Sequence, residues 1–187
     1  ISKDAVSPGE IVSEASRERH VYAYWSPVAC DTTDCSDLSV LIQDFQTPFL
    51  RVDLYNSADT SSAGLTNLGQ GTPFYFSWSP DGEAMVIHRN NNALQYYMTQ
   101  SNEIVDIDSG ILGNFLSPAW SPVDDRILFA TQSEDNQSQL TILDGDVMKV
   151  IGNRVDGVLS FSWSPDGQFI AYRYVTSDAI SPVYVIN

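Results

Sequence analysis

Short stretches of alternating side chains recur along this chain, each leading through a turn into an unbroken apolar run. In residues 74–78 the aromatic side chains at positions 74, 76 and 78 fall on one face of a strand, because successive residues of a strand point to opposite faces. The apolar runs occupy residues 84–87, 127–130 and 169–172. Runs without alternation are typical of strands buried on both faces, so we expect these three strands to lie between neighbouring layers of sheet.

Each apolar run is followed by a third stretch of strand character, and in two places by a weaker fourth. The third stretches occupy residues 93–98, 140–143 and 183–186, and the fourth occupy 103–107 and 147–151. None of these segments has the sustained period of an amphipathic helix. The pattern therefore predicts an all-β chain made of four-stranded antiparallel units.

The turn after the first strand of each unit has a sequence of its own. Residues 78–82 and 163–167 both read Trp-Ser-Pro-Asp-Gly, in which proline presets φ at the second turn position and glycine tolerates the left-handed conformation that closes the turn. Residues 120–124 read Trp-Ser-Pro-Val-Asp, with Asp124 at the glycine position. Because aspartate tolerates positive φ, we expect this turn to be kept. The repeat residues are Trp25, Trp78, Trp120, Trp163, Pro80, Asp81, Gly82, Pro122, Pro165, Asp166 and Gly167.

The tryptophans of these turns recur at a nearly constant distance. A fourth, shorter copy reads Tyr-Trp-Ser-Pro at residues 24–27, and successive tryptophans are separated by 53, 42 and 43 residues. A period near 42 in a strand-rich chain is typical of a β-propeller with four-stranded blades. The longer first interval predicts an insertion at 28–35. The predicted divisions are an amino-terminal segment, 1–20, and propeller blades within 21–187 at about 21–73, 74–115, 116–158 and 159–187.

The Trp-Ser-Pro-Asp-Gly phrase resembles the opening of the blades in the TolB-like family of β-propeller repeats. The resemblance covers residues 21–187; it is specific at Trp78 and Trp163, partial at Trp120 and weakest at Trp25. It implies a ring of usually about six or more blades that presents loops for binding. Enzymes, notably serine peptidases, also carry such rings as non-catalytic domains, so the resemblance by itself implies no activity.

The number of blades leaves two arrangements open. Four blades account for nearly all of the 187 residues, which is the small end of the propeller range, and the last blade shows no fourth strand. We expect an arc of a larger ring, whose end blades need a partner or further blades to cover their apolar faces. In the alternative, residues 9–13 supply the outer strand of the last blade and close a four-bladed ring.

Charge and composition bear on partners and compartment. The chain carries 24 acidic and 9 basic residues, a net charge of −15, which repels nucleic acid and anionic lipid headgroups. No apolar run approaches the length of a membrane span. The polar surface consists largely of Ser, Thr, Asn and Gln, which is compatible with an exported protein. We therefore expect a protein partner or further propeller blades, no nucleic acid and no membrane span in this chain.

The two cysteines lie close together in the inserted segment. Cys30 and Cys35 enclose four residues. An even number of closely spaced cysteines in a loop favours a local disulfide, which indicates an oxidising compartment such as the periplasm, the cell surface or the exterior. Free thiols are the alternative. A zinc site would need two further ligands, and the only histidines, His20 and His88, lie in other segments.

Acidic residues cluster at three places, each of which is a candidate calcium site, because calcium binds carboxylate oxygens at alternating positions. None completes a twelve-residue calcium loop with its glutamate, and Asp-Gly pairs are first of all turn formers. The turn interpretation is favoured for Asp81, Asp144 and Asp166. Calcium stays open as the lesser alternative for the cluster of Asp31, Asp34 and Asp37. The clusters are Asp31, Asp34 and Asp37; Asp106 and Asp108; and Asp144 and Asp146.

Catalytic motifs are not evident in the sequence. The Gly-x-Ser-x-Gly elbow of serine hydrolases does not occur. His20 precedes a strand and His88 ends one, neither with a sequence-evident nucleophile or acid, so we interpret these histidines as polar surface. Tryptophans at a fixed place in a blade strand are more often core residues than sugar-stacking platforms.

Together these features predict a non-catalytic β-propeller scaffold that mediates protein–protein interaction in an extracytoplasmic assembly. No catalytic, cofactor-binding or metal-binding residue is assigned. The rival hypothesis is the propeller portion of a hydrolase, either a peptidase or a sugar-active enzyme, whose catalytic part is not in this chain.

Overall fold

The computed structural model describes residues 19–25, 38–44, 50–55 and 65–187, with side chains described in 50–54 and 66–187. Every regular element within these ranges is a β-strand, so the predicted all-β fold is confirmed. The described residues include no helix that is long and apolar enough to cross a membrane.

The described strands form four antiparallel sheets, which we call blades 1 to 4 in chain order. Blade 1 contains β1 (Arg19–Trp25), β2 (Leu38–Asp44), β3 (Leu50–Tyr55) and β4 (Leu65–Gly71). Blade 2 contains β5 (Phe74–Trp78), β6 (Ala84–Arg89), β7 (Ala93–Met98) and β8 (Glu103–Asp106). Blade 3 contains β9 (Ala119–Trp120), β10 (Ile127–Gln132), β11 (Ser138–Asp144) and β12 (Val147–Val155). Blade 4 contains β13 (Val158–Trp163), β14 (Ile170–Val175) and β15 (Tyr184–Ile186). Strands pair in sequence order within each blade, which confirms the predicted four-stranded antiparallel blades, with three strands in the last.

The tryptophan at the end of each blade's first strand holds the same register in all four blades. It lies opposite an apolar residue at the start of the second strand. The pairs are Trp25 with Leu38, Trp78 with Met85, Trp120 with Ile127 and Trp163 with Ile170. The same pairing of the first and second strands therefore begins every blade, as the sequence repeat predicts.

Two apolar clusters hold the blades against one another. The smaller cluster joins blades 1 and 2, and its buried members include Val52, Leu54, Phe74, Met85 and Ile87. The larger cluster extends across blades 2, 3 and 4 and takes in the middle strands of each. Because fully burying one such side chain contributes about 1.5–3 kcal/mol, contacts between blades are a main source of stability.

The predicted alternation along β5 is confirmed. Phe74, Phe76 and Trp78 pack in the cluster shared with blade 1. Ser77 points the other way, where its Oγ accepts a hydrogen bond from the backbone N–H of Trp120 in blade 3, 3.2 Å away. The first strands β5 and β13 both contact β9, so the first strands of blades 2 to 4 lie side by side.

The apolar runs after the turns are buried on both faces in two of the three blades for which we predicted it. Residues 84–88 of β6 and 127–131 of β10 are all buried. The prediction is wrong for blade 4, where Ile170 and Tyr172 are buried but Phe169 is 40% exposed. The reason is that one side of blade 4 has no neighbouring blade packed on it in the described structure.

Residues 9–13, the alternative closing strand, and the insertion at 28–35 lie outside the described residues. The choice between an arc and a four-bladed ring closed by residues 9–13 therefore stays a prediction.

Candidate functional site

The turn of blade 2 is held by its own side chains. Ser79 Oγ donates to Asp81 Oδ1 at 2.5 Å and accepts from the backbone N–H of Ala84 at 2.9 Å. Asp81 Oδ1 also accepts from the backbone N–H of Glu83 at 3.0 Å. Gly82 adopts a φ of 74° and donates its N–H to the Ser79 carbonyl at 3.0 Å. Asp81 therefore braces a turn, the role that its pairing with glycine favours.

Blade 4 repeats this arrangement with equivalent atoms. Ser164 Oγ donates to Asp166 Oδ1 at 2.5 Å and accepts from the backbone N–H of Phe169 at 2.9 Å. Gly167 adopts a φ of 67° and donates to the Ser164 carbonyl at 2.9 Å. The prolines that follow the turn serine are Pro80, Pro122 and Pro165. Two identical sequence phrases thus form two identical hydrogen-bonded turns.

Hydrogen bonds favour the ionised form of both turn aspartates. The Ser164 hydroxyl, with the help of backbone N–H groups, lowers the pKa of Asp166 below its ordinary value. Partial burial raises the pKa of Asp81, but the hydrogen bonds from the Ser79 hydroxyl and the Glu83 N–H outweigh it, so this pKa is also lowered. At neutral pH these carboxylates act as ionised braces of the turn and not as proton donors.

Blade 3 closes its turn with different bonds, which corrects our expectation for Asp124. Asp124 is not among the described residues that adopt positive φ. Its carboxylate instead accepts from the backbone N–H of Arg126 at 3.2 Å and pairs with the Arg126 guanidinium at 2.8 Å. The Ser121 N–H bonds to the Arg126 carbonyl at 2.7 Å, with the same spacing as Ser79 and Ala84 in blade 2. Asp124 therefore keeps the turn by capping the returning strand, and not by copying the backbone conformation of glycine.

The tryptophans with described side chains lie at the joints between blades. Trp163 donates its indole N–H to the Ala119 carbonyl of blade 3 at 3.1 Å, and Arg126 Cζ lies 4.8 Å from the centroid of its ring. The Trp120 ring packs beside Tyr96 of blade 2, with ring centroids 5.7 Å apart. Trp78, Trp120 and Trp163 are all half-buried. Trp78 packs on the smaller apolar cluster, and Trp120 and Trp163 pack on the larger one. Their role as structural residues stays a prediction.

His88 lies in the interior, where we had expected a surface residue. It is 1% exposed because it continues the buried run of β6 beneath the connection to blade 3. Its ring stacks on Phe115 with centroids 4.1 Å apart, and Nδ1 lies 3.0 Å from the Leu116 carbonyl. Nε2 has no hydrogen-bond partner among the described residues. The geometry indicates a neutral imidazole that carries its proton on Nδ1 and donates to Leu116.

Acidification should destabilise the protein through His88. Burial lowers the pKa of His88 below its ordinary value of 6.5, and the bond to the Leu116 carbonyl opposes this only in part. The unfolded chain therefore binds the proton more readily than the folded chain does. Stability from this group is complete above about pH 6.5 and is lost as the pH falls from there toward the lower folded pKa.

Urea unfolding between about pH 7.5 and about pH 5 measures this effect. We expect the free energy of unfolding to fall across that range, and to fall less steeply in His88→Gln. Asp81 and Asp166 do not contribute to the fall in stability over this pH range, because their lowered pKa values keep them ionised throughout. Identical slopes in the two proteins would contradict the assignment.

Two of the three acidic clusters lie in the described part of the chain. No group of three or more His, Cys, Asp or Glu side chains is placed there to hold a metal ion. Asp106 accepts a hydrogen bond from Gln95 Nε2 at 2.6 Å. Asp144 and Asp146 are exposed on either side of Gly145, whose φ is 57°, at the turn between β11 and β12.

Several residues singled out in the sequence lie outside the described residues. They are Cys30, Cys35, Asp31, Asp34 and Asp37. The side chains of His20 and Trp25 are also outside the described set, although the backbone of both belongs to β1. The disulfide, the free thiols and the calcium alternative therefore stay predictions.

One side of blade 4 has no neighbouring blade in the described part of the structure. We call the side of a blade that packs on the next blade in chain order its forward face. At the centre of this face in blades 2 and 3 lie Val86 and Leu128, both 0% exposed. The same register position in blade 4 is Ala171, which is half-buried, and its partner on the third strand, Val185, is 66% exposed. Val183, two residues before Val185, is 65% exposed. We call these two exposed valines the apolar row of blade 4. Sequence reasoning identified this segment as a strand but had no signal for which of its sides lacks a neighbour.

Comparison with known proteins supports the same architecture. No protein-family model matches this chain, and no curated protein matches its sequence. Among solved structures, the chain is similar to TolB from Acinetobacter baumannii, with 16% identity and a TM-score of 0.55 over 90% of this chain and 38% of that one. It is also similar to a TolB candidate from Agrobacterium tumefaciens, with 19% identity and a TM-score of 0.53 over 66% of this chain and 46% of that one.

At these identities the likeness shows the fold alone. The chain has a TolB-like β-propeller fold, as the resemblance of its turn phrase implied. It spans less than half the length of either protein, 38% of the first and 46% of the second.

Proposed function

We propose that this chain is a non-catalytic β-propeller scaffold that binds protein through the forward face of blade 4, in an extracytoplasmic assembly. The observation that carries the proposal is the exposed apolar row on that face, with Val183 and Val185 about two-thirds exposed. The positions that match Val185 in blades 2 and 3 are Tyr96 and Ile142, and both are partly buried against the larger apolar cluster. This face therefore fits a packed protein surface, supplied by a protein partner or by further propeller blades.

The charge of the chain supports a protein partner over a polyanion. The net charge of −15 opposes association with nucleic acid or anionic lipid. On the forward face Ala171 lies beside the polar Ser162 and Arg173, so the apolar surface available for burial comes mainly from the exposed Val183 and Val185.

The chemistry of the described polar groups supports a scaffold over an enzyme. The carboxylates of Asp81 and Asp166 are occupied by hydrogen bonds within their own turns. His88 is enclosed between blades, where its bare nitrogen is out of reach of a substrate in solution. The extracytoplasmic setting rests on the spacing of Cys30 and Cys35 and on the neutral polar composition of the surface.

A comparison of two aspartate variants tests the proposal. Val185→Asp places a charge on the forward face, whereas Val147→Asp places the same charge on β12 at a residue that is 65% exposed. We expect a protein from the extracytoplasmic fraction of the source cells to copurify with the wild type and with Val147→Asp, and to bind Val185→Asp at least about tenfold more weakly. Equal recovery of every bound protein by all three chains would contradict the function proposed.

A further inference from the structure

We propose that His88 makes the joint between blades 2 and 3 proton-sensitive: the joint is closed while the imidazole is neutral and opens locally when the imidazole is protonated. The contact concerned joins His88 to residues 111–116, which we call the connecting segment because they lie between β8 and β9. This device is independent of the proposed function, since it acts within one chain and needs no partner.

Blade 3 holds the beginning of the connecting segment by backbone hydrogen bonds. The Ile111 carbonyl accepts from the N–H of Gln132 at 2.8 Å, and the N–H of Gly113 donates to the Ala130 carbonyl at 3.0 Å. Gly113 lies so close to β10 that a Cβ added to it would be 2.6 Å from the Thr131 carbonyl oxygen. This half of the segment therefore has little room to move.

The end of the connecting segment is held by longer bonds and by His88. The N–H of Leu159 in blade 4 donates to the Asn114 carbonyl at 2.8 Å, but the N–H of Leu116 is 3.3 Å from the Leu159 carbonyl. On the side of blade 2, His88 Nδ1 donates to the Leu116 carbonyl at 3.0 Å, and the His88 ring stacks on Phe115. The end of the segment therefore meets blade 2 through one imidazole ring.

Protonation would give this buried ring a charge and a second N–H group. His88 is 1% exposed, and Nε2, which would carry the new N–H, has no hydrogen-bond acceptor among the described residues. A charged donor without an acceptor is costly in the interior, because neither water nor protein solvates it. Water can reach Nε2 once Phe115 and Leu116 move off the ring. The open form therefore binds the proton more tightly than the closed form, so acid favours opening.

The described neighbours of His88 carry no charge that would offset this cost. Tyr75 of β5 is the titratable side chain that stacks on the ring, with centroids 6.1 Å apart. The register partner on β7 is Leu94, and the connecting segment contributes the apolar Phe115 and Leu116. Burial lowers the pKa of His88, and the opposing cause is the bond to the Leu116 carbonyl. The ring therefore responds to protons through its burial and not through a neighbouring carboxylate.

Opening at His88 should extend to the rest of the joint between blades 2 and 3. The chain runs from the connecting segment directly into β9. On the way, Ser117 Oγ donates to the Phe76 carbonyl of blade 2 at 3.1 Å, and the N–H of Trp120 donates to Ser77 Oγ at 3.2 Å. Because these bonds follow Leu116 within four residues, its movement should weaken both of them.

Amide hydrogen exchange tests the inference. Protection is the exchange rate expected of an unstructured chain divided by the observed rate at the same pH, so the pH dependence of the exchange chemistry cancels. We expect the protection of the Leu116 and Trp120 amides to fall at least about tenfold between about pH 7.5 and about pH 5. The amides of Gly113 and Thr99 donate to backbone carbonyls at 3.0 and 2.9 Å and are the matched controls. Their protection should change less than about threefold.

His88→Asn is the matched variant, because its side-chain amide keeps an N–H donor near the position of Nδ1 and does not titrate. In this variant the Leu116 and Trp120 amides should lose less than about threefold over the same pH range. If His88→Asn fails to fold, an NMR titration of the wild-type His88 ring takes its place. The ring should titrate with the same midpoint as the loss of protection at Leu116 and Trp120.

Three results would overturn the inference. The first is an equal loss of protection at Gly113 and Thr99, which would show that the whole chain unfolds. The second is an equal loss at Leu116 and Trp120 in the wild type and in His88→Asn. The third is a His88 ring that stays neutral down to about pH 5, or that takes up its proton without loss of protection at Leu116. The proposed function would stand in each case, since the experiment contains no partner.

Discussion

Replacing Trp163 by alanine is expected to lower the free energy of unfolding by about 3 kcal/mol, the low end of the range for removing a packed tryptophan. The side chain is half-buried and packs on the cluster that joins blades 2, 3 and 4. The substitution also removes the hydrogen bond from its indole to the Ala119 carbonyl and the ring beneath the Arg126 guanidinium. Blade 4 should therefore lose much of its attachment to blade 3.

Thermal and urea unfolding measure this effect, and Phe169→Ala is the matched control. Phe169 is an aromatic residue of the same blade, but it is 40% exposed and lies on the uncovered side. Its removal should change the free energy of unfolding by less than about 1 kcal/mol. Unchanged stability in Trp163→Ala, together with loss of sugar or peptide binding, would show that these tryptophans form a binding platform and that the structural interpretation is wrong.

Replacing Gly167 by alanine should destabilise the protein by about 2–3 kcal/mol, for two separate reasons. Gly167 adopts a φ of 67°, a conformation that costs about 1–2 kcal/mol for a residue with a Cβ. The added Cβ would also collide with Val123 Cγ2 in the turn of blade 3. The carbonyl of Gly167 accepts from Arg126 Nη2 at 3.2 Å, so any shift of this turn disturbs the joint between blades 3 and 4.

Two variants separate these contributions. Gly145→Ala carries only the backbone cost, because Gly145 has a φ of 57° and open space around its Cβ position. We expect it to lose about 1 kcal/mol. Val123→Ala in the Gly167→Ala background removes the colliding methyl group. The double variant should therefore recover the stability that Gly167→Ala loses beyond Gly145→Ala. Equal losses at Gly145 and Gly167, or no recovery in the double variant, would mean that the turns of blades 3 and 4 are not in close contact.

The sequence predicted correctly those features that depend on neighbours along the chain. The alternation in β5 followed from the two-residue period of a strand. The turns around Asp81 and Asp166 followed from residue types whose preferences act within a few residues. The number of blades followed from counting copies of one such unit. In each case the energies that decide the structure are local, so they can be derived from the order of the residues.

Asp124 and His88 show where local reasoning is not enough. We expected Asp124 to adopt positive φ, which aspartate tolerates. Instead, its carboxylate binds the guanidinium and the backbone N–H of Arg126, two residues later. His88 ends a strand, where exposure is usual, yet Phe115 and Leu116 return over it from the connection to blade 3. Both outcomes depend on which alternative partners are within reach in three dimensions.

By itself, then, the sequence determined an all-β chain of four repeated blades, the phrase that opens each blade and the face of β5 that packs inward. Only the tertiary structure decided which sides of those blades are covered. Ile142 and Val185 hold matching positions on the third strands of blades 3 and 4; Ile142 packs partly buried on the larger apolar cluster, whereas Val185 is 66% exposed. The physical reason is that burial is a property of contact between distant segments. A repeat specifies the same surface on every blade, and whether that surface meets a neighbour depends on the position of the blade in the array.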